Sequence, residues 1–211
     1  DGVFSMDGDI APLDKLSEIC SRYDTVLMVD DAHALGTIGK TGRGSSELFD
    51  LDQHQLPILM GTLGKSFGVS GAFVAGSDDL IEYLIQYARS YIYTTAIPSA
   101  SAAAACSSLK LFSNELDRLD HLNELVNYFK NQYSSLNYKF LPSDTPIQPM
   151  IVGDSRKATD ISNKLFQHGI IAPAIRPPTV PYGSSRLRIT LTASHTFSDI
   201  DKLIDILKKI K

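Results

Sequence analysis

Three runs between Thr25 and Gly76 carry no charged side chain: Thr25–Val29 (TVLMV), Pro57–Leu63 (PILMGTL) and Gly71–Gly76 (GAFVAG). Their apolar residues are continuous rather than alternating, and polar or glycine-rich chain bounds each run. That is the pattern of strands covered on both faces. Helical spacing flanks them. Leu13, Leu16, Ile19 and Cys20 recur at that spacing between Pro12 and Tyr23, with Pro12 suited to a first turn. A further helix is expected from Asp78 or Asp79, either of which can cap it, to about Arg89. Helices interleaved with doubly covered strands imply an α/β layer on a mainly parallel sheet.

After about Pro98 the pattern changes. A long helical region to Tyr133 leads away from the layer. Strand Ile147–Val152, helix Arg156–His168, strands Ile170–Ile175 and Leu187–Leu191, and a terminal helix follow. That last helix puts Ile200, Leu203, Ile204 and Leu207 on one face, with Ser198 as its expected cap. Residues 1–105 therefore read as part of a larger sheet domain and residues 106–211 as a smaller α+β domain.

The 211 residues are 43% hydrophobic, enough for a sizeable core, and a net charge of −4 gives no electrostatic reason to bind nucleic acid or an anionic membrane. No apolar run approaches the ~20 residues of a membrane helix, and no basic and apolar leader opens the chain, so a cytoplasmic protein is expected. Cys20 and Cys106, far apart within helical patterns, read as two buried reduced thiols rather than a disulfide or metal site. The start at Asp1, in DGVFSMDGD, reads as a cut through a longer protein.

Three segments carry chemistry: Val29–His33 (VDDAH), Gly61–Gly68 (GTLGKSFG) and Ser185–Thr192 (SRLRITLT). An ATPase reading fails because a phosphate loop needs Gly five positions before its Gly-Lys pair, where this chain has Leu59. Singly, Asp30 could cap a turn, His33 could be a loop histidine and Lys65 a surface lysine. Together they fall where open α/β folds build sites, at the carboxyl ends of strands. Glycines 64 and 68 leave Lys65 little to pack its stem, which suits a lysine facing a ligand.

These segments, with GVFSMDGDIAPL, YTTAIP, IQPMIVGD and IRPPTVPYGSSRLRITLTASH, resemble the α-oxoamine synthases. Those are fold-type I pyridoxal-phosphate enzymes that join an amino acid to an acyl thioester. The resemblance covers the whole chain, as the C-terminal half of such an enzyme. It implies pyridoxal 5'-phosphate held by Lys65 as a Schiff base, with Lys65 later serving as base, Asp30 on the pyridine nitrogen and His33 on the phenolic oxygen. Ser5 and Thr62 would donate hydroxyls to the phosphate, and Thr94 and Thr95 would approach the phosphate of the neighbouring subunit in a homodimer with shared sites. Arg188 would grip the substrate carboxylate and Thr179 would contact substrate.

IQPMIVGD and IRPPTVP further imply decarboxylative condensation of L-alanine with a pimeloyl thioester, carried by coenzyme A or a carrier protein, to 8-amino-7-oxononanoate in biotin biosynthesis. The alternatives are a sibling enzyme using glycine or serine with another acyl-CoA, or a non-catalytic subunit, against which the retained Lys65 speaks. Ala34-Leu35 departs from the family's usual Gly or Ser followed by a small residue. The group that stacks on the ring is expected outside these residues, so the 211 residues alone are not expected to be active.

Overall fold

The computed structural model describes residues 1–210. They form two compact units, one of Asp1–Val3 with Ile10–Leu116, the other of Phe4–Asp9 with Asp117 onward. The division falls after Leu116 because a single helix runs uninterrupted through residue 105.

In the first unit α1 (Leu13–Arg22) precedes β1 (Met28–Asp30), α2 (Ser45–Leu48), β2 (Ile58–Thr62) and β3 (Ala72–Ala75). The helices α3 (Asp78–Tyr87), α4 (Arg89–Ile92) and α5 (Ser99–Asn114) follow. The sheet order is β1-β2-β3. β1 and β2 are parallel, with Asp30 opposite Met60, as an α/β layer requires. The expected cover on both faces is not seen among the described residues: Met28 and all of β3 are exposed. β3 runs antiparallel to β2, so the sheet here is mixed. The physical reason is the short loop from Leu63 to Gly71, closed by Leu63 N–H to Gly71 O at 2.9 Å. A parallel return needs a crossover of a dozen or more residues.

Ala11, Leu13, Val29 and Leu56 pack as the core of this unit, so α1 closes one face of the sheet. Two details differ from the sequence reading. Ser77, not Asp78 or Asp79, caps α3 by accepting from Leu80 N–H, since a cap must precede the first turn. Cys20 is half-buried and Cys106 exposed, because α5 buries none of its residues in this unit.

The second unit holds α6 (Asp117–Tyr133), β4 (Lys139–Phe140), β5 (Ile147–Gly153), α7 (Ser155–Gln167), β6 (Ala174–Ile175), β7 (Ser185–Thr190) and α8 (Phe197–Lys209). Its sheet is antiparallel throughout, in the order β4-β5-β7-β6. The expected continuous helix from 98 to 133 is two helices, interrupted between Asn114 and Asp117. The strand expected over 170–175 shrinks to the two residues that pair with β7. Thr196 rather than Ser198 caps α8, in a reciprocal capping box with Asp199.

Apolar stripes of α6, α7 and α8 converge on β5 and β7. Phe129, Met150, Leu165 and Leu187 are fully buried there, among Ile161, Leu203, Ile204 and Leu207. Leu165→Ala removes side-chain volume from this close-packed centre. It is expected to cost about 2–5 kcal/mol, read as a lower thermal midpoint with no change in circular dichroism at low temperature.

Candidate functional site

The parallel pairing of β1 and β2 ends both strands on the same side of the first sheet, and four of the expected residues, Asp30, His33, Thr62 and Lys65, lie on the chain that leaves those ends. Asp30 is the last residue of β1 and Thr62 the last of β2, with Lys65 three residues further on. Beyond Asp30 the chain turns sharply. The Asp30 carboxylate accepts from Ala32 N–H at 2.9 Å, and Asp31 O accepts from the amides of Ala34 and Leu35, both at 3.0 Å. His33, half-buried, stands on this turn, and its carbonyl accepts from the Thr37 hydroxyl at 3.0 Å.

The lysine loop is tied to the same turn. Ser66 Oγ donates to Leu35 O at 2.7 Å, and a Cβ at Gly36 would lie 2.4 Å from Ser66 Cβ. Only glycine tolerates that approach, at a φ of +81°. Within the lysine loop, Gly68 N–H donates to Lys65 O at 3.0 Å and Val69 N–H to Leu63 O at 2.8 Å. These bonds hold the loop backbone while the Lys65 side chain stays exposed, with no ion-pair partner among the described residues.

Leu35, the departure noted in the sequence, is buried and fills the space above Gly61, where a Cβ would come within 2.4 Å of Leu35 Cδ1. The larger residue is accommodated by packing against the strand. The acid and lysine motifs stay linked.

Thr62 Oγ1 is buried and has no hydrogen-bond partner in the structure. An orphaned hydroxyl costs roughly 1–3 kcal/mol unless something completes it, and a phosphate oxygen would do so. With a carboxylate at the turn and an exposed amine on the tied loop, these residues fit an anionic, ring-bearing carbonyl cofactor such as pyridoxal phosphate. Thr94 and Thr95 also belong to this unit but lie beyond α4, both exposed, with Thr94 Oγ1 donating to Ser90 O.

Ser5, Thr179 and Arg188 belong to the second unit. Alternation along β7 sends Leu187 and Ile189 into the core and leaves Arg186 and Arg188 on the opposite face. Arg188 Nη1 donates to Ser5 O at 3.3 Å, and its Nε is buried without a partner. Part of its fork thus remains available for an acceptor. Thr179 is exposed, its amide donating to Arg176 O at 3.0 Å.

Sequence reasoning missed two groups. The first is the ion pair of Arg186 with Asp7. Burial lowers the pKa of the Arg186 guanidinium, which also donates to Ser184 O at 3.0 Å. Only the alternation of SRLR hinted at it. The second is Asp31, wholly buried, whose carboxylate accepts from Ser45 N–H at 2.8 Å and Ser45 Oγ at 2.5 Å. Burial pushes the Asp31 carboxyl above its ordinary pKa, the two Ser45 hydrogen bonds oppose that, and the neighbouring Asp30 charge adds to it. Asp31 shares the inward parity of Val29, which was a signal. Its partner fourteen residues on, across a glycine-rich loop, left none.

Residues 1–207 match the family described as aminotransferase class I and II. The chain is 52% identical over its full length to the 8-amino-7-oxononanoate synthase of Hahella chejuensis, and 52% identical over 210 residues to that of Cellvibrio japonicus. It spans about half the length of these curated relatives, 53% of each. Among solved structures, an 8-amino-7-oxononanoate synthase from Francisella tularensis matches 99% of the chain, with 60% of its own length covered, at a TM-score of 0.86 and 36% identity. A serine palmitoyltransferase from S. paucimobilis, with a bound PLP–myriocin aldimine, matches 99% of the chain and 53% of its own length at a TM-score of 0.93 and 26% identity.

Proposed function

Because this chain belongs to the class I and II aminotransferase family, we propose that it carries the cofactor-anchoring half of a cytoplasmic, pyridoxal-phosphate-dependent acyltransferase. The reaction is decarboxylative condensation of L-alanine with a pimeloyl thioester to 8-amino-7-oxononanoate, a step of biotin biosynthesis. One observation carries the reading. The Lys65 loop is hydrogen-bonded to the turn that follows Asp30, at the ends of two adjacent parallel strands.

When bound, the cofactor supplies an electron sink for the amino acid's α-carbon. Lys65 is its covalent anchor and then takes the α-proton of alanine on its ε-amine. The Asp30 carboxylate holds a proton on the pyridine nitrogen, since an adjacent negative charge favours the charged ring. His33 hydrogen-bonds the phenolic oxygen. Thr62 donates its hydroxyl to the phosphate, and its orphaned Oγ1 supports that part. In the second unit Arg188, with its buried unpartnered Nε, is the group for a substrate carboxylate, and Thr179 is a further substrate contact.

Thr94 and Thr95 reach the phosphate bound to a second copy in a homodimer with shared sites. Their exposure supports this, as does the run of exposed Tyr83, Tyr87, Tyr91 and Tyr93 around them. Among the described residues no helix is long and apolar enough to cross a membrane, and no cluster of His, Cys, Asp or Glu is placed to hold a metal ion.

A sibling enzyme that uses serine or glycine is the second reading, favoured by the high TM-score to serine palmitoyltransferase. Identity supports the first reading: 52% to the oxononanoate enzymes against 26% to the palmitoyltransferase. The full-length protein, loaded with pyridoxal phosphate, is given a panel of alanine, serine and glycine against pimeloyl and palmitoyl thioesters. Mass spectrometry should find 8-amino-7-oxononanoate and CO2 as the dominant products. A preference for serine with the long acyl chain would establish the second reading instead.

A further inference from the structure

Asp30 and His33 act through a turn, and a turn of that kind must be held from behind. The backbone holds part of it: Asp31 N–H donates to Met60 O at 2.8 Å, and Gly2 N–H donates to Asp30 O at 2.8 Å. The rest rests on the Asp31 side chain. It is fully buried and accepts both donors of Ser45. Its oxygens are also enclosed by glycines, since a Cβ at Gly2 would lie 2.1 Å from Oδ1 and one at Gly44 would lie 2.0 Å from Oδ2.

Ser45 is itself fixed. The loop before it is drawn in by Glu47, whose carboxylate accepts from Thr41 N–H at 2.9 Å, Thr41 Oγ1 at 2.7 Å and Arg43 N–H at 3.1 Å. Gly44 N–H closes the loop by donating to Ile38 O at 2.9 Å. The chain of contacts runs from Glu47 through the 41–45 loop to Asp31, and from Asp31 directly into the Asp30–His33 turn.

Resting on the cofactor reading above, we propose that Asp31 is a positioning residue. Its carboxylate, locked by Ser45, sets where Asp30 meets the ring nitrogen and where His33 meets the phenolic oxygen. The device is geometric and does not depend on the Asp31 charge. An asparagine can reproduce it, with its carbonyl accepting from Ser45 N–H and its amide donating to a rotated Ser45 hydroxyl. Alanine cannot.

The test uses the full-length protein with pyridoxal phosphate bound and reads two quantities: the cofactor dissociation constant and the pH midpoint of the visible absorbance. Asp31→Ala should weaken cofactor binding at least tenfold. It should also raise the pH midpoint by about one unit, since that midpoint reports the proton on the Lys65 nitrogen joined to the cofactor. A ring nitrogen that has lost its positive charge for want of a well-placed Asp30 repels that proton less. Asp31→Asn should stay within about threefold of wild type in affinity, with its midpoint unmoved.

Ser45→Ala removes one of the two donated bonds while keeping the backbone, and should fall between them. It decides the matter if Asp31→Ala does not fold. Wild-type affinity and midpoint in a folded Asp31→Ala or Ser45→Ala would overturn the proposal, as would an Asp31→Asn that behaves like the alanine variant. A wild-type protein with no visible band in the presence of pyridoxal phosphate would instead sink the cofactor reading itself.

Discussion

Asp30→Asn in the full-length protein is expected to retain bound cofactor while losing nearly all turnover. The amide preserves the shape of the strand end and can still accept from Ala32 N–H, so the turn that follows survives. What it loses is the negative charge that keeps the pyridine nitrogen protonated, and with it most of the electron sink. Removing one partner of a sheltered charge pair costs about 3–5 kcal/mol. Set against ~1.36 kcal/mol per decade of rate, that is a fall of roughly 10²- to 10⁴-fold in kcat. Steady-state rates beside a cofactor titration check it. A variant with wild-type turnover would remove Asp30 from the site, and one that simply failed to bind cofactor would make its role structural.

Lys65→Ala should fall at least as far. A positioned general base alone contributes ~10²–10⁴-fold, and this substitution also removes the amine that anchors the cofactor. The fold should be unaffected, because Lys65 is exposed and the loop is held by Ser66, Leu63 and Gly71 rather than by the lysine side chain. A small primary amine added to the variant should restore part of the α-proton transfer, measured as deuterium exchange at the alanine α-carbon. Undiminished exchange without added amine would assign the base to another group.

Much of this was legible because the strands leave an unbroken apolar signature, although the expected cover on both faces is not seen among the described residues, where β3 is exposed along its whole length. β2 and β3 fall within two of the uncharged runs, and β1 overlaps the first and extends one residue past it to Asp30. Asp30 and Thr62 end β1 and β2, with Lys65 just beyond. β1 is shorter than its run because pairing with β2 begins only at Met28. Strand direction was less legible. The uncharged run GAFVAG has the same composition parallel or antiparallel, and only the shortness of the Leu63–Gly71 connection decides it.

Helix caps were misplaced at Ser77 and Thr196 because several acceptors crowd each start. Only the residue with an extended backbone and a reachable third amide can serve. Thr62 came only with the family resemblance, whereas Asp30 and Lys65 were readable as polar residues at apolar strand ends. Asp31 was not, since what makes it matter is an enclosure built by Gly2, Gly44 and Ser45 from distant parts of the chain. Sequence patterns report which face a residue takes. They do not report which loop closes over it.

The central claim is that Lys65 is the cofactor's anchor, and borohydride reduction tests it most directly. The full-length protein is reduced in the presence of pyridoxal phosphate, digested and mapped by mass spectrometry. The account predicts loss of the visible absorbance and a single pyridoxyl-modified peptide, the one containing Gly64-Lys65-Ser66. A modified peptide containing any other lysine, with Lys65 unmodified, would contradict it.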